Sequence, residues 1–160
     1  MNRMDGKVCV VTGATQGLGA AIARRLAAAG AAGLIITGRN TQRGEQVAQE
    51  IAKKHRIDVH FLRADFAEVD DCRMVIAETD RLFAHIDVLV NAGASTARGT
   101  IIDTSPEVFD ALFATNVRGP YFLMQEAIKL MIKRGVEGAI CNIGSISALA
   151  GQPFINAYCA

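Results

Sequence analysis

The chain has 160 residues, 51% of them hydrophobic and 21% charged, with a formal net charge of +1. A chain of this length predicts one domain with a sizeable buried core, which excludes a disordered protein. Near-neutral charge with no run of five like charges excludes a basic nucleic-acid-binding face, and three prolines without a repeat exclude a collagen-like chain.

Residues 7–12 (KVCVVT) read as a buried strand closed by Gly13. A helix follows over residues 17–29, where Leu18, Ile22 and Leu26 recur every four positions, and Gly30 stands as its C-cap. Strand two covers residues 34–37, and an amphipathic helix covers 41–54, with Val47 and Ile51 on one face. Strand three is the alternating run 57–63. Cys72, Val75, Ile76, Leu82 and Phe83 mark a third helix, and residues 86–90 a fourth strand. Ser105-Pro106-Glu107 is a helix start: a serine N-cap, proline in the first turn and an acid at the positive helix end. That helix is expected to run to Lys133, bent at Gly119-Pro120 and closed by Gly135, before strand five at 138–143. Strands alternating with helices predict βαβ units, hence an α/β doubly wound parallel sheet with helices on both faces.

The longest apolar run, residues 26–37, is interrupted by Gly30 and Gly33 and falls short of the ~20 residues a membrane-spanning helix needs. Arg3 and Lys7 lead into too short an apolar stretch for a signal-peptide core. Cys9, Cys72, Cys141 and Cys159 form no CxxC pair, so reduced, buried thiols and a cytoplasmic location are expected. His55, His60 and His85 have no partners at ligand spacing, so no metal site is expected.

The chemistry begins where strand one runs into Thr12-Gly13-Ala14-Thr15-Gln16-Gly17-Leu18-Gly19 and a helix follows. Glycines let the chain turn sharply and let backbone N–H groups approach a pyrophosphate, while the helix N-terminus adds partial positive charge. Further along stand Asp65-Phe66 after strand three, Asn91-Ala92-Gly93 after strand four, and Asn116 inside the fourth helix. Ser145 ends strand five, and Tyr158 follows thirteen residues later. Ser147 competes with Ser145 but misses that spacing.

With its TGxxxGxG spacing and these motifs in this order, the sequence resembles the short-chain dehydrogenase/reductase family over essentially all of its length. The resemblance implies a Rossmann domain spanning residues 1–160. It implies an oxidoreductase transferring a hydride between NADP(H), or NAD(H), and a secondary alcohol or ketone. Tyr158 would be the acid/base, Ser145 the donor to the substrate oxygen, and Asn116 the holder of a proton-relay water. Gly13, Thr15, Gln16, Gly17, Leu18 and Gly19 would bind the cofactor phosphates. Asp65 and Phe66 would meet the adenine, Asn91, Ala92 and Gly93 the adenosine half, and Tyr158 would also contact the cofactor. A phenol titrates near ~10, so a tyrosine acid/base needs positive charge beside it to work at neutral pH. The family's lysine four residues after the tyrosine would fall beyond Ala160, as would the last strands and the substrate-binding region. Two other readings remain open: an epimerase or dehydratase of the same fold, and a non-catalytic dinucleotide-binding protein.

Strand two ends Thr37-Gly38-Arg39-Asn40, with a glycine where NAD users place an acid for the ribose hydroxyls. Arg39 can instead pair with a 2′-phosphate, a charge-assisted contact of ~1.5–3 kcal/mol, or roughly ten- to hundredfold in affinity. Gln16 stands where many NADP-using relatives carry a second basic residue. Thr96 to Thr100 follow strand four on the ligand side of the sheet. Phe109, Leu112, Phe113, Tyr121 and Phe122 give the fourth helix more apolar surface than one face can bury, which predicts a homo-oligomer, dimer or tetramer.

Overall fold

The computed structural model describes residues 4–160; Arg3, in the basic segment before strand one, lies outside them. Five strands, β1 Val8–Val11, β2 Gly33–Gly38, β3 Asp58–Arg63, β4 Val88–Asn91 and β5 Ala139–Asn142, form one parallel sheet in the order β3-β2-β1-β4-β5. Side chains alternate across a strand, so each central strand feeds two cores. Cys9, Val11, Leu34 and Ile36 point to one face. There they bury Ala20, Ala23 and Ala27 of α1 (Gly17–Ala28) and Val47, Ala48 and Ile51 of α2 (Thr41–His55). Val10, Ile35 and Leu89 point to the other, against Cys72, Val75 and Ile76 of α3 (Val69–Phe83) and Leu123, Ala127 and Leu130 of α5 (Gly119–Arg134). This is the doubly wound three-layer architecture. Among the described residues no helix is long and apolar enough to cross a membrane.

The strand order reverses between β1 and β4, and in open α/β sheets ligands bind beyond the carboxyl ends of the strands at that point. One buried carboxylate holds the opposite end of this pair. Asp87 accepts from Lys7 Nζ and from the Val8 backbone N–H, each at 2.8 Å, and lies 3.2 Å from His85 Nε2. Burial alone would raise this carboxyl, but the bonds from Lys7 and Val8 and the charges of Lys7 and His85 outweigh it and hold it below the usual carboxylate range.

The fourth helical segment departs from the expected bend at Gly119-Pro120. α4 (Pro106–Phe113) passes into a π-helical turn over Ala114–Arg118, and α5 begins at Gly119. Pro120 therefore occupies the first turn of a fresh α segment, where its missing N–H costs little, and the irregularity sits one turn earlier, at Asn116. Ser105 caps α4 as expected, its Oγ accepting from Val108 N at 3.4 Å. All four cysteines are free. Within the described residues Cys9 and Cys72 are buried as expected, Cys159 is half-buried and Cys141 is exposed.

Candidate active site

The loop after β1 is packed directly onto the loop after β4. Thr12 Oγ1 accepts from the backbone N–H groups of Ala92 and Gly93, at 3.0 and 3.1 Å. Gly13 has φ +64°, and a Cβ on it would lie 2.4 Å from Gly93 Cα; a Cβ on Gly19 would lie 2.4 Å from the Gly13 carbonyl oxygen. Neither position can carry a side chain without moving backbone. Gly17 differs, because nothing lies within 4 Å of where its Cβ would be, so its backbone faces open space. The first turns of α1 and α2 carry no acid, leaving both positive helix ends uncompensated. A cleft floored by bare backbone, with helix N-termini free of carboxylates, fits a pyrophosphate.

That cleft, a cavity of about 340 Å³, is lined by Gly13, Thr15, Gln16, Gly17, Leu18 and Gly19, by Arg39, by Asp65 and Phe66, and by Ala92 and Gly93. Of the predicted cofactor residues only Asn91 and Tyr158 lie elsewhere. Gly38 closes β2 against Thr15, whose Cγ2 would lie 2.6 Å from a Cβ there, so a side chain at this position would have to displace the Thr15 methyl. Arg39 is mostly exposed and sits 3.9 Å from Asp65 Oδ2, a loose pair. Asp65 also works locally: its Oδ1 accepts from Ala67 N at 3.1 Å and shapes the turn after β3. The buried Phe66 ring packs against Gly93.

A second cavity of about 400 Å³ adjoins the first, sharing Gly93 and Ala94 with it. It gathers Asn91, Asn116, Ser145 and Tyr158, and none of its lining residues is charged. Ser145 caps a short 3-10 turn, its Oγ accepting from Ser147 N at 3.1 Å. The lone pair is thus engaged and the O–H is left to donate outward. Ser147 is buried and unsuited to meet a substrate. Tyr158 lies in α6 (Asn156–Cys159), half-buried beside this cavity.

Asn116 sits in the π turn with both amide atoms engaged: Oδ1 accepts from Ser95 N and Nδ2 donates to the Ser95 carbonyl, each at 2.8 Å. Asn91 Nδ2 donates to Asn142 Oδ1 at 2.8 Å, tying β4 to β5, while its own buried Oδ1 has no partner. Gly99 N donates to the Phe154 carbonyl at 2.9 Å, so the loop after β4 is latched to the segment leading into Tyr158. The cleft also takes residues outside the predicted set, among them Asn40 and Arg43 at the start of α2. Their signal was the helix start itself, where the Asn40 side chain caps the Arg43 N–H three residues on.

Residues 7–160 match the short chain dehydrogenase family. The chain belongs to that family. This short-chain dehydrogenase is 37% identical to "Dehydrogenase/reductase SDR family member 7B" of Bos taurus over 158 residues, which is 96% of this chain and 48% of that protein. Among solved structures, L-sorbose reductase from Gluconobacter frateurii, complexed with NADPH and L-sorbose, superposes with a TM-score of 0.93 at 27% identity, covering 99% of this chain and 60% of that one. A 3-oxoacyl (acyl-carrier-protein) reductase from Agrobacterium tumefaciens C58 with NADP bound gives 0.88 at 28% identity, covering 98% and 59%. The chain spans about half to three-fifths of the length of the curated relatives it matches.

Proposed function

We propose that this short-chain dehydrogenase is an NADP(H)-dependent oxidoreductase interconverting a secondary alcohol and a ketone. The observation that carries this reading is the meeting of Ser145 and Tyr158 in a cavity that shares Gly93 and Ala94 with the glycine-lined cleft. Gly13, Thr15, Gln16, Gly17, Leu18 and Gly19 hold the cofactor's phosphates, Arg39 its 2′-phosphate, and Asp65 and Phe66 its adenine. Asn91, Ala92 and Gly93 support the adenosine half, and Tyr158 also contacts the cofactor. NADP(H), when bound, supplies the electron pair of the reaction or accepts it.

In the reducing direction Tyr158 Oη gives its proton to the carbonyl oxygen as negative charge develops there. Ser145 donates its free O–H to the same oxygen and orients it. In the oxidising direction Tyr158 Oη takes the alcohol proton back. Asn116 fixes the Ser95 backbone with both of its amide atoms, so a proton-relay water at this turn would be held by main chain and not by the Asn116 side chain. NADP over NAD is supported by the absence of an acid at Gly38, by the loosely paired Arg39, and by the NADP and NADPH bound to the two solved relatives.

The substrate is a small carbonyl or alcohol compound. Val117, Tyr121, Ile128 and Ile132 leave an exposed apolar stripe along the π turn and α5, which supports a homo-oligomer, and the free thiols support a cytoplasmic setting. All 160 residues are read as one dinucleotide-binding unit. A screen of nicotinamide absorbance against ketones and secondary alcohols tests the function. Turnover of at least one such pair with NADP(H) is expected, and none across a broad panel despite cofactor binding would refute it.

A further inference from the structure

The cation at the 2′-phosphate position need not act alone. Arg43 projects from the first turn of α2 into the same cleft as Arg39, and its Nη1 donates to Gln16 Oε1. Gln16 precedes α1 but its side chain caps nothing there; it is spent on Arg43 instead. At the base of the same turn, Asn40 Oδ1 accepts from Arg43 N at 2.9 Å, so the backbone that carries the guanidinium is fixed by a cap. Two guanidinium groups therefore line the same cavity as Gly38, which carries no side chain of its own.

The acceptor inventory points the same way. A ribose with a free 2′-hydroxyl needs an acceptor. The carboxylate lining the cleft, Asp65, accepts from the Ala67 N–H through Oδ1, sits only loosely against Arg39 through Oδ2, and is already assigned to the adenine. Gln16 Oε1 is taken by Arg43. The charged groups free to point at the cofactor there are the outer N–H groups of both arginines, joined by the Gln16 amide N–H₂, and the hydroxyls of Thr15 and Thr115 are the neutral groups beside them. A dianionic phosphate is the group that such a set of donors recognises.

We propose, on the basis of the NADP(H) function above, that Arg43 is the second cation for the cofactor's 2′-phosphate and that Gln16 is the positioning residue that aims it. The second positive charge is thereby moved from the glycine-rich loop onto α2, with the loop keeping a neutral hydrogen-bonding partner. Arg43 and Gln16 are specificity-determining rather than catalytic, because neither lines the cavity of Ser145 and Tyr158.

Dissociation constants for NADPH and NADH, measured by nicotinamide fluorescence on the full chain, test this without turnover. Arg43→Ala is expected to weaken NADPH about tenfold and leave NADH unchanged, a single charge-assisted contact's worth. Gln16→Leu is expected to weaken NADPH by less, and by a smaller factor in the Arg43→Ala background than in wild type, since part of its effect runs through the guanidinium. Unchanged NADPH binding in Arg43→Ala, alongside a loss in Arg39→Ala, would overturn the proposal and leave the NADP(H) reading standing. Equal losses for NADPH and NADH in Arg43→Ala would overturn it in favour of a structural role. Equal wild-type affinities for NADPH and NADH, untouched by either arginine variant, would overturn both. Additive effects of Gln16→Leu and Arg43→Ala would overturn the positioning role.

Discussion

The Asn116 side chain grips the Ser95 backbone on both sides, accepting from its N–H and donating to its carbonyl at 2.8 Å each. The pair joins the π turn between α4 and α5 to the loop that leaves β4, and so fixes one wall of the cavity holding Ser145 and Tyr158.

Asn116→Ala removes both bonds and leaves two Ser95 backbone groups to find water. A stability loss of about 1–2 kcal/mol is expected, together with a fall in kcat larger than any change in NADPH affinity. Asn116→Asp keeps the acceptor and loses the donor, so it is expected to fall between Asn116→Ala and wild type in thermal unfolding. A wild-type kcat in Asn116→Ala would contradict the positioning of this wall.

Asp87 ties the N-terminal ends of β1 and β4 through Lys7 and Val8. Its folded carboxyl titrates below its unfolded value of roughly 4, so its contribution is complete above that value and is lost as pH falls through the lower, folded one. Lys7 is raised, chiefly by its bond to Asp87, so the same pair weakens again once pH climbs past the ordinary lysine range. Asp87→Asn is expected to lower stability by about 1–3 kcal/mol at neutral pH and to flatten the acid limb of the stability curve. Denaturant unfolding from pH 3 to 8 checks this, and an unchanged acid limb would count against the assignment.

Burial pushes the Cys9 thiol up to about 12, with the Asp87 charge adding to it, and burial with the Asp71 charge pushes Cys72 to about 11. Thiolate is the reactive form, so both are expected to stay unlabelled by iodoacetamide at pH 8 in the native chain and to label on unfolding. Peptide mass spectrometry reads the difference; native labelling of Cys9 at the denatured rate would show that the β1 core opens.

Much of the site was legible because it hangs on strand ends. A hydrophobic run closed by Thr12-Gly13, or by Asn91-Ala92-Gly93, marks both a strand and the crevice beyond it, and the parallel order follows from the alternation of elements. What lay beyond reach depends on packing between distant segments. Gln16 and Arg43 are 27 positions apart and meet only because α1 and α2 cover the same face of the sheet. The irregularity in the fourth helix was expected at Gly119-Pro120, the local helix breaker, but it falls at Asn116, where a tertiary contact with Ser95 rewards the extra residue of a π turn.

The most direct test of the proposed chemistry is Tyr158→Phe in a complete protein, with the lysine and substrate-binding region that the family resemblance implies, which removes the phenol oxygen and its proton from the cavity. NADPH-linked turnover of an accepted ketone is expected to fall by at least the 10²–10⁴-fold typical of losing a general acid, while the dissociation constant for NADPH stays within about twofold of wild type. Turnover retained in Tyr158→Phe would contradict the assignment of Tyr158 Oη as the proton donor.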